Sequence, residues 1–154
     1  MPISEDDLVL NEGGCLCLPS GGPYTGVTED YYEDGQVASR GHFLDGLMHG
    51  VQQEWYGTGQ LRSEETMCLG QPHGYRREWY PKGQLKGEGL AEHGFRISVK
   101  RWDEAGALVH ESRYPYPDQK YEWLLRWRAA ARALGFGPPE GVDASLLPPG
   151  SRLE

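Results

Sequence analysis

A repeat with a period of 24 residues occupies the middle of the chain. Its copies begin at Gly26, Gly50 and Gly74, and each passes through an aromatic pair to a Gly-Gln step. A fixed period in this range is typical of stacked repeat proteins, in which one unit cannot bury its apolar face alone. The functional question therefore concerns the surface that the repeats present, rather than a catalytic pocket.

Each copy has the pattern strand, tight turn, strand. Asp34-Gly35 is a strong signal for a two-residue type I′ turn, which requires positive φ at both central positions. Glycines continue this series at Gly59, Gly83 and Gly106, and a second series marks the links between hairpins at Gly46, Gly70 and Gly94. The sequence predicts a mainly β fold: an open, single-layer antiparallel β-meander of about eight strands, spaced ~4.8 Å apart.

Alternation along the strands assigns residues to two predicted faces. One face receives Asp30, Tyr32, Val37, Ser39 and Gly41, then Glu54, Tyr56, Leu61 and Ser63, then Glu78, Tyr80, Leu85 and Gly87. The other receives Tyr31, Trp55, Trp79 and Trp102, interleaved with Arg40, Arg62, Arg77 and Lys86. This assignment depends on the turn register, because a slip of one residue moves a side chain to the other face.

An open sheet has two edges that need cover. Residues 15–18 predict a degenerate capping strand at the front. A helix is predicted from Pro117 to about Leu134, with Trp123, Trp127, Ala130 and Leu134 on one stripe, to lie against the last hairpin. We therefore divide the chain into an acidic N-terminal segment with a partial capping strand (1–23), the hairpin repeats (24–114), a C-terminal amphipathic helix (115–136) and a Pro-rich tail (137–154).

The bulk composition narrows the class of partner. The net charge is −8 and the isoelectric point about 5.1, which argues against nucleic acid and makes a membrane surface an unfavourable partner. No apolar run is long enough to span a bilayer, and the acidic N-terminus lacks the basic region of a signal peptide. Three cysteines suit a reducing compartment. We expect a cytoplasmic protein.

These repeats resemble the MORN-repeat variant of bacterial antitoxin-like proteins of the YwqK type. The likeness covers residues 24–114 and rests on the aromatic pair, the Gly-Gln turn and the link Gly-x-x-His-Gly at 46–50 and 70–74. The fourth copy departs from it, since residues 94–98 lack the His-Gly step, and we interpret this copy as a terminal cap. The resemblance implies a non-catalytic antitoxin or immunity protein.

Several residues could carry chemistry, and for each we favour a structural role. His49 and His73 are two strands apart, ~10 Å, too far to share a zinc ion unless both lean together, so we expect them to cap turns. Cys15, Cys17 and Cys68 are expected to be small buried hydrophobes. The carboxylate column Asp30, Glu54 and Glu78 lacks the enclosed pocket that acid–base catalysis needs. We predict no enzyme, no metal and no cofactor.

The aromatic residues have two open interpretations: a ladder that stabilises the sheet, or anchors for a protein partner. The candidate partner-binding residues are Tyr31, Trp55, Tyr56, Trp79, Tyr80 and Trp102, with Asp30, Glu54 and Glu78 offering charge to a basic toxin. The alternative is a MORN-type scaffold that organises an assembly or docks at membranes through the basic, Trp-rich helix. The helix arginines Arg126, Arg128 and Arg132 are predicted to face solvent.

Overall fold

A computed structural model describes residues 2–114 and 121–133, together with the single positions 135, 137 and 142. It contains a 3-10 helix (Glu5–Asp7), one α-helix, α1 (Tyr121–Ala133), and short strands β1 (Val9–Leu10), β2 (Leu16–Cys17) and β5 (Leu47–Met48). The longer strands are β3 (Gly26–Tyr31), β4 (Val37–Leu44), β6 (Gly50–Trp55), β7 (Leu61–Cys68), β8 (Gln71–Trp79), β9 (Leu85–Glu92), β10 (Phe95–Trp102) and β11 (Leu108–Arg113). Most of the predicted tail lies outside the described residues.

The repeats form one antiparallel sheet whose strands lie side by side in chain order. The order runs from β3 and β4 through β6, β7, β8, β9 and β10 to β11, and the short β5 also pairs with β4. The strands β1 and β2 form a separate two-stranded sheet. The predicted open meander of hairpins with a C-terminal helix is confirmed.

The turns within the hairpins differ from the predicted type. The amide of Gly35 donates to Tyr32 O, the amide of Tyr32 donates to Gln36 O, and Gly35 alone of this loop has positive φ. This is a three-residue loop ending in a left-handed glycine, not a two-residue type I′ turn. The same hydrogen-bond pattern recurs in the other hairpins, at Gly59, Gly83 and Gly106.

The type I′ geometry appears instead in the turns that link one hairpin to the next. Both central residues of each link have positive φ: Asp45 and Gly46, Leu69 and Gly70, His93 and Gly94. Each linking glycine also donates its amide to the carbonyl of the residue 22 positions earlier, on Tyr24, Met48 and Pro72. The links therefore stack on one another along one end of the sheet.

The three-residue loop corrects part of the predicted face assignment. Tyr31 pairs with Val37 rather than lying opposite Ala38, and a bulge at Ala38 then restores the pair Asp30–Ser39. The same shift pairs Trp55 with Leu61 and Trp79 with Leu85. Val37, Leu61 and Leu85 consequently lie on the tryptophan face, and their predicted placement beside the tyrosines was wrong.

Arg62 and Lys86 were also assigned to the wrong face. Both occupy the bulge position, and their cationic groups lie 5.8 Å and 5.7 Å from the ring centroids of Tyr56 and Tyr80. They therefore belong to the tyrosine face. Arg40 and Arg77 lie on the tryptophan face as predicted, with Arg40 5.7 Å from the Trp55 ring.

Both ends of the repeat array carry contacts outside the meander. At the front, Ile3 bridges Thr28 of β3 in parallel, and the amide of Leu16 in β2 donates to Gly46 O. At the back, α1 contacts the link between β9 and β10, where Trp123 packs edge-on against Phe95 with ring centroids 5.4 Å apart. Several of the buried side chains lie near the linking turns, among them Phe43, Cys68, Glu92 and His93.

The side of α1 that is buried differs slightly from the predicted stripe. Leu124 and Ala131 are the buried apolar residues of this helix, whereas Ala130 is exposed and Trp123 is 43 % exposed. Leu134 of the predicted stripe lies outside the described residues. Within the described part of the chain, no helix combines the length and the apolar character that crossing a lipid bilayer requires.

Candidate partner-binding surface

One face of the sheet carries a continuous row of large apolar side chains, here called the aromatic stripe. Its members alternate between the leading and returning strand of each hairpin: Tyr31, Val37, Trp55, Leu61, Trp79, Leu85, Trp102 and Leu108. The row crosses eight strands, which corresponds to ~34 Å. None of the eight side chains is buried, and the end members Tyr31 and Leu108 are 55 % and 49 % exposed.

A row of polar side chains, all charged except Gln53, lies beside the aromatic stripe on the same face. In sheet order it consists of Glu29, Arg40, Gln53, Glu64, Arg77, Glu88, Lys100 and Glu111. Within each hairpin, the member on the leading strand contacts the member on the returning strand. Examples are the ion pairs Arg40–Glu29 at 2.6 Å and Arg77–Glu88 at 2.8 Å. The row carries four carboxylates against three cations, a net charge of −1, and each residue is paired across its hairpin, with Gln53 donating to Glu64 at 2.8 Å. The face therefore offers a partner apolar contact beside polar groups that are already paired.

The tyrosines on the opposite face connect successive hairpins. The hydroxyl of Tyr32 donates to Trp55 O at 2.6 Å, that of Tyr56 to Trp79 O at 2.9 Å, and that of Tyr80 to Trp102 O at 3.1 Å. Each phenol thus holds the backbone of the next leading strand, so that strand's tryptophan is positioned by the repeat before it. Among the candidate residues, Tyr56 and Tyr80 have this structural role.

The candidate carboxylates share the tyrosine face but have different partners. Asp30 accepts hydrogen bonds from Ser39 Oγ at 2.9 Å and from Ser4 Oγ and the Glu5 amide of the N-terminal segment. Glu78 accepts from Arg76 at 2.8 Å, and this hydrogen bond lowers the pKa of the Glu78 carboxyl. Glu54 is the most open of the three: its side chain is 55 % exposed, with Arg62 4.0 Å away.

The repeated histidines cap the linking turns. His49 Nδ1 accepts the amide of Leu69 at 3.2 Å, and His73 Nδ1 accepts the amide of His93 at 3.4 Å, each the first residue of the next link. Thr25 lies one period before His49, and its hydroxyl oxygen likewise accepts the amide of Asp45 at 2.8 Å. The predicted capping role is confirmed, and it explains why the position before the strand-opening glycine carries a side-chain acceptor.

The cysteines occupy structural positions. All three are free thiols, with Cys17 and Cys68 buried and Cys15 half-buried. Burial raises the pKa of the Cys68 thiol, which disfavours the nucleophilic thiolate. The prediction of small buried hydrophobes holds for Cys17 and Cys68.

A buried polar cluster joins α1 to the sheet, and the sequence interpretation missed it. Arg128 makes a bidentate contact to Glu92, with Nε–Oε1 at 2.6 Å and Nη2–Oε2 at 2.7 Å, and the Glu92 side chain is fully buried. His93 stacks between His73 and Trp127 at centroid distances of 4.2 and 5.7 Å. Arg128 was predicted to face solvent, and this was wrong. The signal lay in its spacing from Leu124, since residues four apart share a helical face.

The cluster makes stability depend on pH through His93. Burial first, then the neighbouring His73, lowers the pKa of His93 to about 4 in the folded protein, with Arg128 adding to this and Glu92 opposing it. The folded state therefore binds fewer protons than the unfolded chain between about pH 4 and pH 6.5. The free energy of unfolding is expected to fall as the pH drops through this window, with a slope approaching about 1.4 kcal/mol per pH unit.

Urea unfolding at pH values from 4.5 to 7 measures this slope. His93→Phe should reduce it, whereas His110→Gln, at an exposed position of β11, should leave it unchanged. A slope identical in the wild type and His93→Phe would show that His93 does not carry the effect.

Comparison with known families accounts for this periodic geometry. The family model described as the MORN repeat variant matches residues 24–45, 48–68 and 72–92. Three segments of the chain are therefore similar to MORN repeats. Each matched MORN segment closes at or next to a linking turn, at Asp45, Cys68 and Glu92, and the β10–β11 hairpin lies beyond the third match. A search of curated proteins finds no match.

MORN repeats are in general modules for interaction with proteins or membranes, and the family is typically non-catalytic. In this chain the hairpins divide the nine candidate residues between two faces. Tyr31, Trp55, Trp79 and Trp102 belong to the aromatic stripe, whereas Asp30, Glu54, Tyr56, Glu78 and Tyr80 lie on the tyrosine face. One flat partner cannot contact all nine.

Proposed function

We propose that this protein is a non-catalytic antitoxin or immunity protein that neutralises a cognate toxin by binding it along the aromatic stripe. The observation that carries the proposal is the stripe itself. It extends ~34 Å across the sheet, its members are half-exposed or exposed, and no second layer of described residues covers it. Monomeric proteins rarely expose contiguous apolar rows of this extent unless they bind something.

The composition of the stripe favours a protein partner. Tryptophan and tyrosine bring large apolar area with few rotatable bonds, and they dominate the binding energy at protein interfaces. The tyrosine hydroxyls of the opposite face fix the tryptophan-bearing strands, so the anchors are positioned before a partner arrives. Preorganised anchors lose little conformational entropy on binding.

The distribution of charge favours a basic partner. The first 48 residues contain nine acidic residues against Arg40 alone, a net of −8, so the remainder of the chain is neutral overall. Part of this acid, at Glu5, Asp6 and Asp7, lies at the sheet edge beside the outer strand β3, where the Glu5 amide donates to Asp30. Toxins that attack nucleic acids are commonly basic, and an acidic edge would accelerate their association.

The alternative, a scaffold that docks at membranes through α1, has less support. Arg128 and Leu124 point into the protein rather than outward, and Trp127 stacks on His93. Only Trp123, Arg126 and Arg132 remain on the outer side of the described helix as candidates for lipid contact. We therefore favour the aromatic stripe over the helix as the interaction surface.

Co-expression tests the proposal. The candidate toxin is the product of the gene beside that of this protein, expressed alone and together with the chain. We expect growth arrest with the toxin alone, rescue by the wild-type protein, and loss of rescue with Trp55→Ala combined with Trp79→Ala. Trp123→Ala, which removes an exposed tryptophan outside the stripe, should rescue fully; rescue by every variant would refute the role of the stripe.

A further inference from the structure

A second surface, on the tyrosine face, has the shape of a trough. Its floor is Gly87, Gly89 and Ala91 of β9, and its volume is about 700 Å³. A Cβ atom placed on Gly87 or Gly89 would come no closer than 3.7 Å to any neighbouring atom, and neither glycine has positive φ. The two glycines therefore serve neither a turn nor a close backbone contact; their effect is to leave the trough open.

The two walls of the trough differ in charge. On the β8 wall, Arg76 pairs with two carboxylates, Glu78 at 2.8 Å and Glu65 of β7 at 3.2 Å, so this side of the trough carries a net charge of −1. On the β10 wall, Arg96 and Arg101 are exposed, and neither forms an ion pair with any described residue. The β10 wall therefore presents two cations that are free to bind an anionic group.

The trough is also lined by groups that suit a peptide. At one end of the trough, Arg96 lies 5.8 Å from the ring centroid of Tyr114, whose side chain is 41 % exposed. Arg101 lies at the other end of the trough. Five residues of strand separate the two arginines, which corresponds to ~15 Å. This spacing suits two carboxylates on an extended chain better than one small ligand.

The overall negative charge does not oppose such binding. The net −8 resides in residues 1–48, at the front of the sheet, whereas the trough spans β8 to β11 at the back. Four strand spacings separate β4 from β9, a distance of ~19 Å. This exceeds the Debye length of about 8 Å at physiological ionic strength, so the front charges are screened at the trough.

We propose that this trough binds an extended acidic peptide segment of a partner protein. Two of its carboxylates pair with Arg101 and Arg96, and an apolar side chain between them occupies the space above Gly89. The site is separate from the aromatic stripe, because the two lie on opposite faces of the sheet. The protein then has two docking surfaces of different chemistry: an apolar stripe for its main partner, and a cationic trough for an acidic segment.

Fluorescence anisotropy with synthetic peptides tests the trough in the full-length protein. The probes are a labelled peptide of Asp, Glu and Phe, the matched peptide of Asn, Gln and Phe, and a matched peptide of Lys, Arg and Phe. We expect the acidic peptide alone to bind, and to weaken as salt rises. Arg101→Gln and Arg96→Gln should each weaken binding at least about fivefold, since each removes a charge-assisted hydrogen bond.

Two kinds of control separate the trough from general electrostatics and from misfolding. Gly89→Val fills the floor without changing the charge and should reduce binding as strongly as the arginine variants. Arg62→Gln, an exposed arginine of the same face outside the trough, and Trp79→Ala on the opposite face should bind like the wild type. The proposal is overturned if the acidic peptide fails to bind, if the Asn/Gln peptide binds equally well, or if Gly89→Val binds normally.

Discussion

Arg128→Ala is expected to destabilise the protein by about 3–5 kcal/mol, the range seen when one partner of a buried ion pair is removed. The substitution leaves the fully buried Glu92 carboxylate without the bidentate guanidinium that now lies 2.6 Å and 2.7 Å from its oxygens. Because this pair links α1 to the β9–β10 turn, the helix should lose its docking first. Urea unfolding gives the total loss, and hydrogen exchange in residues 121–133 gives its location.

Two variants serve as controls for this prediction. Arg126→Ala removes an exposed arginine from the same helix and should change the free energy of unfolding by less than about 0.5 kcal/mol. Glu92→Leu combined with Arg128→Met replaces the pair by apolar groups and should recover most of the loss. Equal stability of Arg128→Ala and Arg126→Ala would show that the pair does not hold the helix.

Gly46→Ala is expected to have the second-largest effect, a loss of about 3 kcal/mol or more. Gly46 has φ +80°, and a Cβ there would lie 2.6 Å from Leu16 O and 2.8 Å from Cys15 Cβ. Two costs therefore add: the strain of an alanine at positive φ, and the overlap of its Cβ with Leu16 O. The overlap can be relieved only if the β2 backbone moves away from the turn. The amide of Leu16, which donates to Gly46 O at 2.9 Å, would then lose its acceptor and the front cap would separate.

Gly70→Ala separates the cost of backbone strain from the cost of steric overlap, because Gly70 occupies the equivalent position of the next linking turn but has room for a Cβ atom. Gly70 has φ +78°, and its nearest neighbour is Leu47 Cδ2 at 3.6 Å, an ordinary contact. Its substitution should cost about 1–2 kcal/mol from the left-handed backbone alone. Thermal unfolding of both variants at one pH makes the comparison. Equal losses at the two glycines would mean that the front cap contributes nothing to stability.

The repeat architecture could be predicted from the sequence because its signals are local and recur. Each hairpin needs a left-handed glycine at one end and a second glycine at the other, and both series are visible at a spacing close to 24 residues. The register near the loop could not be predicted, because both a two-residue and a three-residue turn end in glycine. The bulge at Ala38 and its equivalents compensates for the longer loop, and nothing in the local sequence announces it.

The buried cluster at α1 could not be predicted for a different reason. Glu92 and Arg128 lie 36 residues apart, and each resembles an ordinary surface residue until the helix is docked. The linking turn that brings Glu92 and His93 inward depends on left-handed backbone at His93, a conformation that is uncommon for any residue other than glycine. The trough could not be predicted either. In the sequence, Gly87 and Gly89 indicate only a strand of low β propensity, and not the space that their missing side chains leave on the sheet.

The affinity of the purified protein for the proposed toxin partner, measured by isothermal titration calorimetry for wild-type and stripe variants, tests the central claim most directly. Trp55→Ala and Trp79→Ala should each weaken binding by more than about 1 kcal/mol, at least fivefold, while the unfolding transition remains cooperative. Trp123→Ala should bind like the wild type. Unchanged affinity of both stripe variants, with the fold intact, would contradict the assignment of the aromatic stripe as the binding surface.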